Sequence, residues 1–150
     1  MPNQNSPSDP AQSVKRTRPS RLLFVDDDPY VLASIRRLLR SLRPDWEVET
    51  APHAGEALKK LGSRQFDVVV SDTTMPGLSG MALLEMVADN YPDIARVLHS
   101  SHVADLEHEP VRFVADRLLA KPASATELLS ALDSVLPSGP TARQSSGQAS

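Results

Sequence analysis

The chain has 150 residues, of which 40% are hydrophobic and 23% charged, and this length and composition fit a single domain with an ordinary core. It contains no cysteine, which excludes disulfides, thiol nucleophiles and thiolate metal sites. The formal net charge is −3, and residues 21–136 hold 18 acidic against 12 basic side chains. This balance argues against a broad nucleic-acid-binding surface, and no apolar run approaches the roughly 20 residues that cross a bilayer. We therefore expect a cytoplasmic protein with neither membrane insertion nor direct nucleic acid binding.

Two polar stretches flank residues 21–136. Residues 1–20 are rich in Pro, Ser, Asn and Gln, and residues 137–150 are rich in Ser, Gly and Gln. Neither stretch has hydrophobic periodicity, so both are predicted to be disordered tails, and the N-terminal one has no apolar core typical of a signal peptide. Residues 21–136 are expected to form the one folded domain.

Short aliphatic runs alternate with helical patterns through residues 21–136. The predicted strands are Leu22–Val25, Trp46–Thr50, Asp67–Val70, Ala95–Leu98 and Leu118–Ala120. Helices are predicted after Asp28, from Ala54 to about Gly62, around Met81, and after Ser124. Pro110 predicts a short or broken helix within residues 101–116, because proline removes a backbone donor there. The alternation predicts an α/β domain with a parallel sheet.

Polar side chains follow four of the predicted strands. The first strand runs into Asp26, Asp27 and Asp28, the third into Asp72, the fourth into Ser100 and the fifth into Lys121. Ligands of such sheets gather at the carboxyl ends of the strands. Crowded carboxylates there favour a hard cation such as Mg²⁺, and the hydroxyl and the ammonium group favour a phosphate. Asp72 is then the candidate nucleophile, and Asp28 is interpreted as a helix cap.

These side chains lie in four segments of characteristic order and spacing. The segments are LLFVDDDP (22–29), VVVSDTTMPGLSG (68–80), VLHSS (97–101) and LLAKP (118–122). Asp72 follows Asp27 by 45 residues, Ser100 follows 28 later, and Lys121 follows 21 after that. With these segments, residues 20–136 resemble the receiver domain of two-component response regulators.

The resemblance implies a fold, a cofactor and a chemistry. The fold is a flavodoxin-like (βα)₅ sandwich with five parallel strands in the order 2-1-3-4-5. A histidine kinase or a phosphotransfer protein would donate a phosphoryl group to Asp72. Mg²⁺ would bind through Asp26, Asp27, Asp72 and the backbone carbonyl of Thr74. Ser100 takes the place of the switch hydroxyl, Lys121 would contact the phosphate, and the Lys121–Pro122 peptide bond would be cis.

Other positions refine or depart from the family pattern. Thr74 and His102 stand at the two positions that influence the lifetime of the phosphate. Leu118 replaces the Tyr or Phe that usually precedes the lysine by three residues, which puts the family's aromatic switch in doubt. His99 and His108 are interpreted as packing or surface residues.

The sequence predicts a stand-alone receiver that catalyses only its own phosphorylation and dephosphorylation. It would act as a monomer or a weak phosphorylation-dependent dimer and bind a downstream protein, whose identity the sequence does not give. One alternative is a phosphorylation-independent binding module with a receiver fold, suggested by Leu118. Another is a haloacid dehalogenase-type phosphatase with Asp26 as its nucleophile. A flavodoxin is disfavoured because no phosphate-binding loop follows the first strand.

Overall fold

The computed structural model describes residues 18–103 and 114–136. The chain divides into two units, one comprising Ser20–Leu136 and the other comprising Met1–Pro19 with Pro137–Ser150. Of the second unit, only residues 18 and 19 are described. Most of the predicted N-terminal tail, the whole predicted C-terminal tail, His108 and the predicted helix break at Pro110 lie outside the described residues.

Five strands form one sheet in the order β2-β1-β3-β4-β5, and each neighbouring pair is parallel. The strands are β1 (Arg21–Val25), β2 (Glu47–Ala51), β3 (Val68–Asp72), β4 (Ala95–Ser100) and β5 (Arg117–Ala120). The predicted fold class and strand order are therefore confirmed. The register places Asp72 at the end of β3 opposite His99 of β4.

Four helices are described: α1 (Pro29–Leu42), α2 (Ala54–Ser63), α3 (Gly80–Asn90) and α4 (Ala125–Val135). The predicted cap of α1 is confirmed, because the carboxylate of Asp28 accepts a hydrogen bond from the N–H of Tyr30 at 2.9 Å. Ser124 and Glu127 form the predicted capping box of α4. Among the described residues, no helix combines the length and the hydrophobicity needed to span a bilayer.

The core consists of two clusters, one on each face of the sheet. Side chains of β1 alternate between them, as in any strand buried on both faces: Leu23 belongs to the cluster beneath α2 and α3, and Phe24 to the cluster beneath α1 and α4. Val70 and Leu119 share the second cluster with Phe24. Each of these three is followed, two positions later, by a charged residue. These charged residues are Asp26, Asp72 and Lys121.

Candidate functional site

Lys121 joins two carboxylates at the carboxyl edge of the sheet. It follows β5, and its side chain reaches across β4 to the strands that carry the acids. Nζ donates a hydrogen bond to Oδ2 of Asp26 at 2.7 Å and lies 3.3 Å from Oδ1 of Asp72. Asp26 is only 3% exposed. The ammonium group therefore offsets part of the repulsion between two carboxylates that the fold holds close together.

A third carboxylate completes an acidic cluster. One oxygen each from Asp26, Asp27 and Asp72 lies within 4.8 Å of the others. Asp27 is exposed, so the cluster opens to solvent on its side. Carboxylate oxygens are the donors that hard divalent cations prefer, and the residues present therefore fit a Mg²⁺ ion.

The pKa values of Asp72 and Lys121 are both shifted from their ordinary values. Burial, reinforced by the charge of Asp26, raises the pKa of Asp72 above its ordinary 3.8, although Lys121 opposes the shift. For Lys121, burial alone would lower the pKa, but the hydrogen bond to Asp26 and the charges of Asp26 and Asp72 outweigh it and raise the pKa above 10.5. Lys121 is therefore charged at neutral pH and acts as a fixed cation at this edge.

Hydrogen bonds to backbone carbonyls hold the loop after β3 close to Asp72. The hydroxyl of Ser71 donates to the carbonyl oxygen of Asp72 at 2.9 Å, and the N–H of Gly80 donates to the carbonyl of Thr73 at 3.0 Å. A Cβ at residue 80 would lie 1.9 Å from the carbonyl oxygen of Asp72, so only glycine fits at the start of α3. Sequence reasoning missed Gly80, because the Ser79-Gly80 pair resembles any helix N-terminus.

Ser100 ends β4, and its hydroxyl hydrogen-bonds to the backbone that follows the strand. Oγ, in a side chain that is only 2% exposed, accepts a hydrogen bond from the N–H of His102 at 2.9 Å. The N–H of Lys121 donates to the carbonyl of Ser100 at 2.8 Å, which ties β4 to the lysine. The Lys121–Pro122 peptide bond is cis, as the resemblance implied. Thr74 and His102 are both exposed.

The acids, the hydroxyl and the lysine thus lie at one edge of a 2-1-3-4-5 sheet. The family model for the response regulator receiver domain matches residues 22–133. The chain belongs to this family.

Relatives of this receiver domain occur in longer regulators. The two-component response regulator ORR21 of Oryza sativa subsp. indica is 33% identical over 110 residues, covering 72% of this chain and 16% of that protein. The response regulator UvrY of Escherichia coli (strain K12) is 30% identical over 115 residues, covering 76% of this chain and 53% of that protein. The chain therefore spans about half or less of the length of these curated relatives.

Solved receiver structures share the fold over nearly their whole length. The response regulator TrrA of Thermotoga maritima, in complex with Mg(2+)-BeF, has a TM-score of 0.72 and 27% identity, covering 78% of this chain and 99% of that one. The chemotaxis response regulator CheY4 of Vibrio cholerae has a TM-score of 0.71 and 28% identity, covering 79% and 99%. The receiver fold therefore extends over the part of this chain that contains the acidic edge.

Leu118 is the residue at which the sequence resemblance implied a departure from an aromatic side chain. Its side chain is half-buried and packs against the cluster beneath α2 and α3. A branched aliphatic side chain thus fills part of the core at this position.

His99, which the sequence analysis interpreted as a packing or surface residue, is buried next to the site. It lies opposite Asp72 in the sheet register and is only 7% exposed, and its Nε2 has no hydrogen-bond partner among the described residues. Burial, followed by the charge of Lys121, lowers the pKa of His99 to about 4. The imidazole is therefore a neutral, buried neighbour of the acidic edge. The one sequence signal is its position directly before Ser100.

Proposed function

We propose that this receiver domain accepts a phosphoryl group on Asp72 from a histidine kinase or a phosphotransfer protein and signals through phosphorylation-dependent binding to a partner protein. The observation that carries the proposal is the contact of one ammonium group with two carboxylates, Asp26 at 2.7 Å and Asp72 at 3.3 Å, at the carboxyl edge of the sheet. Whether the protein acts as a stand-alone receiver stays a prediction.

The proposed chemistry is a displacement at phosphorus. A carboxylate oxygen of Asp72 attacks the phosphorus of phosphohistidine, a P–O bond forms as the P–N bond breaks, and the imidazole leaves with a proton from solvent. Asp72 suits this role because its side chain is 12% exposed, unlike that of Asp26, which is 4% exposed, so a donor can approach it more readily. Lys121 already lies 3.3 Å from that carboxylate, and its charge would stabilise the oxygens that the transfer adds.

Mg²⁺ is the cofactor that this site would use. Asp26, Asp27 and Asp72 would hold it, together with the backbone carbonyl of Thr74. When bound, the cation supplies positive charge that offsets the repulsion between phosphoryl oxygens and these carboxylates. Asp27 would contribute an exposed oxygen ligand, while Asp26 is fixed by Lys121 and by the N–H of Asp28, which donates to its Oδ1 at 2.9 Å.

Ser100, Thr74 and His102 would determine what phosphorylation of Asp72 does to the backbone after β4 and how long the phosphoryl group lasts. We infer that the Ser100 hydroxyl exchanges the N–H of His102 for a phosphoryl oxygen, which would move the backbone after β4. Thr74 and His102 are both exposed, so we assign them to tuning the access of the water that hydrolyses the aspartyl phosphate.

Phosphoryl acceptance is tested by intact mass after incubation with acetyl phosphate. We expect the wild type to gain one phosphoryl group in the presence of Mg²⁺ and none after removal of the metal by chelation. Asp72→Asn should gain none, because an amide oxygen does not attack phosphorus. Asp28→Asn is the matched control and should react like the wild type, because Asp28 caps α1 and asparagine caps a helix equally well.

A Mg²⁺-dependent gain of mass in Asp72→Asn would contradict the assignment of the acceptor. The absence of any gain in the wild type, combined with no binding of Mg²⁺, would favour the phosphorylation-independent binding module instead. For the proposed signalling, the phosphorylated and unphosphorylated proteins should differ in the partners they retain, and identical partners would contradict it.

A further inference from the structure

Lys121 has to cross β4 to reach its carboxylate partners. It follows β5, whereas Asp72 ends β3, and β4 lies between these two strands. Neighbouring strands lie about 4.8 Å apart, so β5 and β3 are separated by roughly 10 Å. The stem of the lysine must therefore pass over a side chain of β4 for its Nζ to lie 3.3 Å from Oδ1 of Asp72.

His99 is the β4 residue at that crossing. The sheet register pairs it with Asp72 on one side and with Leu119 on the other. Val97 and Leu119 both belong to the core cluster beneath α1 and α4. His99 and Lys121 follow them by two positions and so face the same side of the sheet, because side chains alternate along a strand. Both also line a groove of about 510 Å³ between α1 and the beginning of α4, so the imidazole and the lysine stem are neighbours.

The imidazole offers the lysine a buried, neutral neighbour. His99 is only 7% exposed, and burial, followed by the charge of Lys121, lowers its pKa to about 4, so the ring is neutral at neutral pH. Its Nε2 makes no hydrogen bond among the described residues, which indicates that the ring acts by filling space. It therefore excludes water beside the lysine without adding a positive charge that would repel the ammonium group.

We propose that His99 is a positioning residue for phosphoryl transfer to Asp72, whose ring supports the stem of Lys121 and holds the ammonium group against the two carboxylates. This inference rests on the proposed function. The ammonium group has to lie where the phosphoryl oxygens arrive, and a misplacement of about 1 Å can cost about a hundredfold in rate. A smaller side chain at residue 99 would let the stem move into the space and carry the ammonium group away from Asp72.

The first test compares the rates of mass gain with acetyl phosphate at saturating Mg²⁺. His99→Ala should react about tenfold more slowly than the wild type, and His99→Val should lie between the two. His99→Leu should react like the wild type, because leucine keeps a side chain of similar size. His99→Val, which keeps a β-branched side chain in the strand, carries the test if the alanine variant does not fold.

Val97→Ala is the matched control for a merely structural effect. It opens space in the same strand and on the same face, two residues before His99, and should destabilise the fold without slowing the reaction. Wild-type rates in both His99→Ala and His99→Val would overturn the proposal. Equal slowing in Val97→Ala would do the same, as would slowing in His99→Leu as large as that in His99→Ala.

A double-mutant cycle on stability tests the contact without any phosphorylation. Urea unfolding should show that His99→Val costs less stability in the Lys121→Ala background than in the wild type, because no stem is left to support. Equal costs in the two backgrounds would overturn the proposal. Failure of the wild type to gain a phosphoryl group would instead contradict the proposed function, and the cycle would still decide whether His99 supports the lysine.

Discussion

His99 links the stability of the fold to pH. Burial and the nearby charge of Lys121 lower its pKa from 6.5 to about 4 in the folded protein. Between these two values the unfolded chain binds a proton that the folded protein does not. The free energy of unfolding must therefore rise with pH across this window, and stability is lost as the pH falls from 6.5 towards 4.

Replacing this side chain should remove that pH dependence. In His99→Leu the free energy of unfolding should lose about 3 kcal/mol of its rise between pH 4 and 6.5, at about 1.4 kcal/mol per pH unit. Urea denaturation at a series of pH values measures it. His102→Leu, which changes an exposed histidine, serves as the control and should keep the wild-type slope. The same slope in His99→Leu would contradict the account.

The acids and the lysine of the site were predictable from the sequence, whereas the role of His99 was not. Asp26, Asp72 and Lys121 each come at or just after the carboxyl end of a strand, and parallel strands bring their carboxyl ends to one edge. A single histidine in an apolar strand looks like a core residue. Its position beside Asp72 depends on the β3–β4 register, and its electrostatic coupling to Lys121 depends on how that lysine crosses β4. Neither follows from local pattern.

The beginning of α3 depends on a glycine. A Cβ at residue 80 would lie 1.9 Å from the carbonyl oxygen of Asp72, which is a backbone atom at the end of β3. In Gly80→Ala the helix must move away from the strand. We expect the free energy of unfolding to fall by about 1–3 kcal/mol or more, the usual cost of overpacking, and phosphoryl acceptance to fall with it.

Gly62 provides the matched control within another helix. It lies inside α2, and a Cβ there would meet nothing within 4 Å. Gly62→Ala should therefore raise the free energy of unfolding by about 0.5–1 kcal/mol through helix propensity alone. Denaturant unfolding of both variants measures the contrast. Equal effects of the same sign would show that the close approach at Gly80 does not constrain the fold.

Within the described residues, the predicted strands and helices agree with the structure in kind and differ at their ends. β3 and β4 extend to Asp72 and Ser100, two residues beyond the ends of their predicted apolar runs. The apolar pattern stops where polar side chains begin, but the backbone ladder continues, as the pairing of Asp72 with His99 shows. Side-chain pattern therefore predicts which residues face the core, whereas strand pairing decides where a strand ends.

At the scale of the whole molecule, binding of Mg²⁺ should stabilise the folded protein. A ligand that binds only the folded state adds about 2.7 kcal/mol at a hundred times its Kd. We expect calorimetry to show a rise in Tm with Mg²⁺ at constant ionic strength. Asp27→Asn should lose most of this rise, because it removes one of the three clustered carboxylates. Asp45→Asn, another exposed carboxylate outside the cluster, should keep it, and equal losses in both variants would contradict the proposed metal site.

The overall architecture was predictable from the sequence because the apolar runs and helical patterns that determine it are local and recur along the chain. Five strands, alternating with helices, favour a doubly wound sheet, and the family resemblance carried by the motifs at the strand ends implied the strand order. The groove beside α1 was not predictable, since its volume depends on how closely α1 and α4 approach each other. Helix periodicity predicts which faces are buried, but it does not predict the distance between two helices on the same sheet.

The most direct test of the central claim locates the acceptor chemically. Borohydride reduces an acyl phosphate on aspartate to homoserine, and tandem mass spectrometry of the digested protein then identifies its position. After treatment with acetyl phosphate and Mg²⁺, we predict homoserine at residue 72, and none when the metal is withheld. Homoserine at residue 26 would contradict the account and support the phosphatase alternative, in which Asp26 is the nucleophile.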